Sequence, residues 1–277
     1  MNKKLIINFT PTGAVPTKKM TPHVPISPEE ICNDTIEAYK LGAQMVHIHA
    51  RDIHGNNTLD KHIYADIIKK IRNSCPDIII CASLTGRFNN TFEARSGPLE
   101  LEDDAKPDMG SLTLSSLNFS KVASTNSPEM VTNLLKKMNE KGIKPELEAF
   151  DQGMINYSKY LIKKGLLQPP YYYNILYGNL CTAQDSLMDL GYLVNSLPEN
   201  SIYSFAGIGK SQKSVTGIGI ISANGVRIGL EDNIYTDQNM NVLATNIGLV
   251  KNIVDLAKTY GRDIATCKEV REMLGLN

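Results

Sequence analysis

Val46-His47-Ile48-His49-Ala50-Arg51-Asp52 is an apolar run that ends in two histidines spaced i, i+2. In an extended strand both imidazoles point to the same side, which is the geometry one metal ion needs. Runs of similar length recur at Leu5 to Phe9, Met45 to His49, Ile78 to Ala82, Ser111 to Leu114, Pro145 to Ala149, Tyr172 to Tyr177, Ile202 to Phe205 and Val226 to Leu230. Helical stretches separate most of them, and Ser27-Pro28-Glu29-Glu30 joins an N-cap, a proline at the first helical position and a capping-box glutamate. This alternation predicts a parallel α/β architecture. Eight β-α units match the (β/α)8 TIM barrel in count and length, read as one domain over residues 1–277, with an open doubly wound sheet as the alternative. Leu84 to Pro107 breaks the pattern: it has turn residues, little helical periodicity and a charged Glu100-to-Asp104 run that reads as solvated surface.

The chain has 277 residues, 29 acidic and 29 basic side chains, and 42% hydrophobic residues. Zero net charge removes a global electrostatic case for nucleic acid or an acidic membrane surface. No window approaches the ~20 apolar residues of a membrane span, and the Leu5-Ile6-Ile7 stretch is interrupted by Asn8 and Thr10 before it could serve as a signal segment. Five cysteines without Cys-x-x-Cys spacing point to a reducing, cytoplasmic setting rather than a disulfide framework. Small-molecule chemistry is the expectation.

In a TIM barrel the chemistry sits at the carboxyl ends of the strands. His47 and His49 end the second expected strand, Ser83 the third, Glu146 and Glu148 lie on the fifth, and Arg227, Glu231 and Asp232 on or just after the eighth. Strands eight and two flank strand one in a closed barrel, so Glu231 can reach both histidines. Two imidazoles and a carboxylate suit a divalent metal with an open position, zinc first, with iron or manganese able to use a similar set. Arg227 and Glu231, four apart on one strand, should share an inward face, with Asp232 or Glu148 as the carboxylate partner a buried arginine needs.

The chain resembles the β-keto acid cleavage enzyme family. The resemblance rests on Thr12-Gly13-Ala14, Pro22-His23-Val24-Pro25, Ser27-Pro28-Glu29-Glu30-Ile31 and His47-Ile48-His49-Ala50-Arg51-Asp52. It continues through Ser116-Leu117-Asn118-Phe119, Gly153-Met154, Leu161 to Gly165, Ala206-Gly207-Ile208-Gly209 and Val226 to Asn233. It implies a zinc-dependent barrel, assembled as a homotetramer, that takes a β-keto acid and acetyl-CoA and returns acetoacetate and a new acyl-CoA. At matching positions His47, His49 and Glu231 resemble the zinc ligands, Ser83 and Arg227 the substrate contacts, and Asp232 the catalytic acid/base. Ser111 stands where some members have threonine, and Glu148 is a further substrate-site carboxylate. Members that act on amino substrates carry a glutamate where this chain has Val15, so the resemblance implies a neutral or anionic substrate here.

Gly207-Ile208-Gly209-Lys210-Ser211 has the ending of a phosphate-binding P-loop but has Ser204 where that motif needs its first glycine. It reads as a tight turn or a contact to a CoA phosphate. A zinc hydrolase with His-x-His on a barrel strand needs later histidines, and all five here lie within the first 62 residues. A metal-dependent aldolase and a metal-free binding protein are the remaining alternatives.

Overall fold

The computed structural model describes residues 4–276, so Met1 to Lys3 and Asn277 of the expected single domain lie outside the described residues. Eight parallel strands close into a barrel: β1 (Ile6–Phe9), β2 (Met45–Ile48), β3 (Ile79–Ala82), β4 (Met109–Thr113), β5 (Lys144–Ala149), β6 (Tyr171–Tyr177), β7 (Ser201–Gly207) and β8 (Gly225–Ile228). They follow one another around the barrel in chain order, and β8 pairs with β1 to close it. Each carries one of the expected apolar runs. The helices α1 (Pro28–Lys40), α2 (Lys61–Ser74), α3 (Phe92–Ser96), α4 (Pro128–Lys141), α5 (Gln152–Lys163), α6 (Leu187–Asn195), α7 (Ser211–Ser222) and α8 (Asn246–Thr259) each follow their strand, and α9 (Cys267–Leu274) ends the fold. The capping box expected at Ser27 and Glu30 is formed in both directions. No helix among the described residues is long and apolar enough to cross a membrane.

The alternation of side chains along each strand divides the interior in two. Outward-facing Ile7, Phe9, Val46, Ile48 and Ile80 pack under the helices with Ile31, Ile67 and Ile253. Inward-facing Ile6, Met45, Ile79, Met109 and Tyr172 fill the lower end of the barrel, which Val270 and Leu274 of α9 seal. The upper end is polar.

Two regions depart from the sequence reading. The segment after β3 is more ordered than its lack of periodicity suggests, because it is organised by Arg95 rather than by an apolar stripe. This side chain is 1% exposed and donates to Leu84 O at 2.8 Å, Asn90 Oδ1 at 2.9 Å and Asn126 Oδ1 at 2.9 Å. Around it form the short α3 and two 3-10 turns, Gly97–Glu100 and Asp103–Ala105. The acidic run does lie largely at the surface, where Glu100 pairs with Lys137 at 2.8 Å. The second departure is β8, which ends at Ile228 rather than continuing to Leu230, so Glu231 sits in the following turn and not on the strand. Gly229 lies where a side-chain carbon would collide with the backbone of Thr10, and the chain leaves the sheet there.

Candidate metal and active site

His47 is the last inward residue of β2, and His49 follows at the rim. His47 is 1% exposed, and its Nδ1 meets Glu146 Oε1 of β5 across the barrel at 2.6 Å. Asn8 of β1 donates to the other oxygen of Glu146 at 2.7 Å. With Nδ1 so engaged, Nε2 of His47 is the free nitrogen, and it is buried without a hydrogen-bond partner. His49 Nε2 lies 3.1 Å from Glu231 Oε1, while Glu231 Oε2 is also buried and unpartnered. Such an atom costs about 1–3 kcal/mol when left unmatched. Ligand atoms of His47, His49 and Glu231 lie within 4.8 Å of one another. Two orphaned donor atoms within a His-His-carboxylate set fit a divalent cation. A second grouping of His47, Cys81 and Glu146 lies deeper, but it shares His47, whose Nδ1 is already committed, and burial pushes the Cys81 thiol well above its ordinary value.

The turn that carries Glu231 is set by Gly13. This glycine has φ +64, and a side-chain carbon on it would stand 2.5 Å from Cγ of Glu231, so the loop after β1 can close over the site only with glycine here. Arg51 braces that loop by donating to Gly13 O at 2.7 Å and Pro16 O at 3.0 Å.

Arg227, 2% exposed, organises the carboxylates. Its Nε donates to Asp232 Oδ2 at 3.0 Å, one terminal nitrogen to Glu231 Oε1 at 2.7 Å, and the other stands 3.5 Å from Glu148 Oε1. Asp232 and Glu148 are thus both partners of Arg227, and Glu231 is a third although it lies beyond the strand. Burial opposes the charge on Arg227, but Asp232, Glu231 and Glu148 outweigh it and raise its pKa well above the usual arginine value. The two neighbouring carboxylates diverge. Burial favours the neutral form of both, yet Arg227 and the two histidines hold Glu231 well below the usual carboxylate range. For Asp232 burial and the charge of Glu231 prevail over Arg227 and raise its pKa. The surroundings of these two carboxylates therefore push them apart, Glu231 downward and Asp232 upward. His49 is lowered by its burial, whereas Glu146 and Glu231 overcome burial and raise His47.

The other expected residues are less central. Ser83 directly follows β3 at 2% exposure, with its carbonyl taken by the Tyr64 hydroxyl at 2.9 Å. The Ser111 hydroxyl accepts from Leu84 N at 3.0 Å and so holds the loop after β3. Glu148 also accepts from Thr113 Oγ1 at 2.6 Å. Val15 is 55% exposed in the loop between β1 and α1, so an ammonium beside it would be only partly desolvated, a milder penalty than full burial. Lys18, exposed on the same loop, pairs with Glu30 of the α1 capping box at 2.6 Å. Within the Gly207-to-Ser211 segment, Ile208 N donates to Tyr177 O and Gly209 N to Asp232 O, at 2.9 and 2.8 Å, which makes it a turn packed against the site. The sequence reading noticed Glu146 but gave it no role, and it missed Asn8. Glu146 stands two residues before Glu148 on one strand, and that spacing was the available signal that both face inward.

The sequence pattern of the beta-keto acid cleavage enzyme family matches residues 4–276. A 3-keto-5-aminohexanoate cleavage enzyme of Fusobacterium nucleatum subsp. nucleatum is 38% identical over 100% of this chain and 99% of its own. A 3-oxoadipate:acetyl-CoA acetyltransferase of Cupriavidus necator is 31% identical over 100% of this chain and 96% of its own. Among solved structures, apo ObcA superposes with a TM-score of 0.79 at 20% identity over 92% of this chain and 66% of that one, which supports the barrel fold alone. Full-length agreement with the family pattern, together with relatives above 30% identity, decides the matter: the chain belongs to the beta-keto acid cleavage enzyme family.

Proposed function

We propose that this protein is a zinc-dependent enzyme that condenses a β-keto acid with acetyl-CoA and returns acetoacetate and a new acyl-CoA. The observation that carries the reading is the Arg227–Asp232 pair, 3.0 Å at its shortest, set beside two histidines and a carboxylate with orphaned donor atoms. His47, His49 and Glu231 would hold the zinc, which when bound supplies a Lewis acid for the keto and carboxylate oxygens of the substrate. Asp232 accepts a proton from the methylene between those groups, and its raised pKa suits it to hold that proton. Arg227 fixes Asp232 through two nitrogens, at 3.0 and 3.3 Å, and its charge faces the oxyanions that develop. The resulting carbanion attacks the thioester carbonyl of acetyl-CoA. The adduct expels the CoA thiolate, which then adds to the original keto carbon; the bond between that carbon and the deprotonated one breaks, and the released carbon takes the proton back from Asp232 as acetoacetate departs. Ser83 and Glu148 line this space as substrate contacts, with Ser111 behind them.

The protein is read as a cytoplasmic homotetramer. Leu187, Met188 and Tyr192, exposed at 75%, 83% and 59% on α6, offer apolar surface for a subunit contact.

A panel of β-keto acids with acetyl-CoA tests the reading, and stoichiometric acetoacetate and new acyl-CoA are expected. Cleavage that proceeds without acetyl-CoA would favour a metal-dependent aldolase instead. Val15, where amino-substrate members have an acid, predicts that neutral or anionic keto acids turn over faster than 3-keto-5-aminohexanoate, and that Val15→Glu narrows or reverses the gap. Because Val15 is half exposed, roughly a 10-fold change is expected rather than several orders of magnitude. If wild type processes the aminated substrate best, another carboxylate serves the ammonium.

A further inference from the structure

The buried arginines Arg51, Arg95, Arg227 and Arg262 direct their guanidinium donors to carbonyls, side-chain amides or carboxylates. Arg87, in the loop after β3, differs. Its guanidinium carbon stands 3.4 Å from the centroid of the Phe119 ring, and that ring is braced edge-on by buried Phe150 at 5.8 Å between centroids. Stacking on an aromatic face fixes the plane of a guanidinium while leaving its five N–H donors at the edge. Among the described residues none of those donors has a hydrogen-bond or ion-pair partner, and only the backbone N–H of Arg87 is engaged, with Thr85 Oγ1 at 3.4 Å. The loop that carries it borders the site, since Thr85, Phe88 and Asn89 line one cavity with His49. Burial lowers the Arg87 pKa, and the carboxylates that oppose this are Glu231, Glu148 and Asp232.

A planar cation held rigid, half buried and with open donors beside a catalytic cleft is arranged to receive an oxyanion. The site itself cannot take a second anionic group easily, because Glu146, Glu148, Glu231 and Asp232 crowd around the single Arg227. A substrate carrying negative charge beyond its reacting β-keto acid end therefore needs a cation of its own at the rim. We propose that Arg87, stacked on Phe119, is a binding residue for an oxyanion group of the substrates, carboxylate or phosphate. This rests on the reading of the site as one for a β-keto acid and acetyl-CoA, and two sources meet the chemistry: the distal carboxylate of a dicarboxylic keto acid, or a phosphate of CoA.

The test is calorimetric binding to the full-length, metal-loaded protein, wild type and Arg87→Gln, with two matched pairs of probes. The first pair is 3-oxoadipate and 3-oxohexanoate, which differ in the distal carboxylate. The second is CoA and pantetheine, which differ in the phosphates. Loss of a charge-assisted bidentate contact should weaken one charged probe about 10- to 100-fold and leave its uncharged counterpart unchanged. Selective loss for 3-oxoadipate identifies the carboxylate, and selective loss for CoA the phosphate. Arg87→Lys, which keeps charge but not the fork, should fall between the two proteins. Equal weakening of charged and uncharged probes would mean that Arg87 only shapes the loop, and unchanged binding of all four would likewise overturn the assignment. Wild type that binds none of them would overturn the reading of the site itself.

Discussion

The lower and upper ends of the barrel interior are walled by the same strands, yet they carry opposite chemistry. Ile6, Met45, Ile79, Met109 and Tyr172 point inward at the bottom and pack beneath α9. Two residues further along the same strands stand Asn8, His47, Cys81, Ser111 and Asn174, all buried. One pleat, about 7 Å of strand, separates a packed plug from a site with four carboxylates around one arginine. The bottom holds the barrel closed and the top holds charges that water would otherwise solvate. Substitutions at one end should therefore spare the property that belongs to the other.

The largest effect is expected at the top. Asp232→Asn should fold and keep its metal but lose at least about 100-fold in turnover, within the 100- to 10,000-fold range of a positioned acid/base group. Near-normal activity in that variant would move the base elsewhere, with Glu148 next in reach of Arg227. At the bottom, Met45→Ala removes a fully buried side chain and should cost about 2–5 kcal/mol in a denaturant titration while metal content stays at the wild-type level. Loss of metal there would show that the two ends are one cooperative unit. The finest probe is Glu146→Gln, which keeps shape at the boundary but removes the charge that fixes the His47 ring. Metal affinity measured by chelator competition should fall about 10- to 100-fold, and an unchanged affinity would make the 2.6 Å contact a matter of packing alone.

The same contrast explains what the sequence made legible. Buried parallel strands read as continuous apolar runs, so β1 to β8 could be found without a structure, and polar residues within them stood out as exceptions. His47, His49 and Arg227 were visible for that reason, and the spacing of Glu231 from Arg227 brought it in. The contact between His47 and Glu146 was not, because it joins residues 99 positions apart on strands that are not neighbours. Arg87 and Arg95 were invisible for another cause: a charged residue in an irregular loop looks solvated until a ring or a set of carbonyls is seen around it. The extension of β8 to Leu230 failed because hydropathy does not register how closely Gly229 packs on the backbone of Thr10, where the regular pairing ends.

The central claim is that the upper end is built around a divalent ion, and metal analysis of the purified protein beside the double variant His47→Ala, His49→Ala tests it most directly. Wild type should carry one zinc per subunit, and the double variant should carry none while its strand and helix content is preserved. Stoichiometric metal retained by the double variant, or wild type that takes up no divalent ion, would contradict the account.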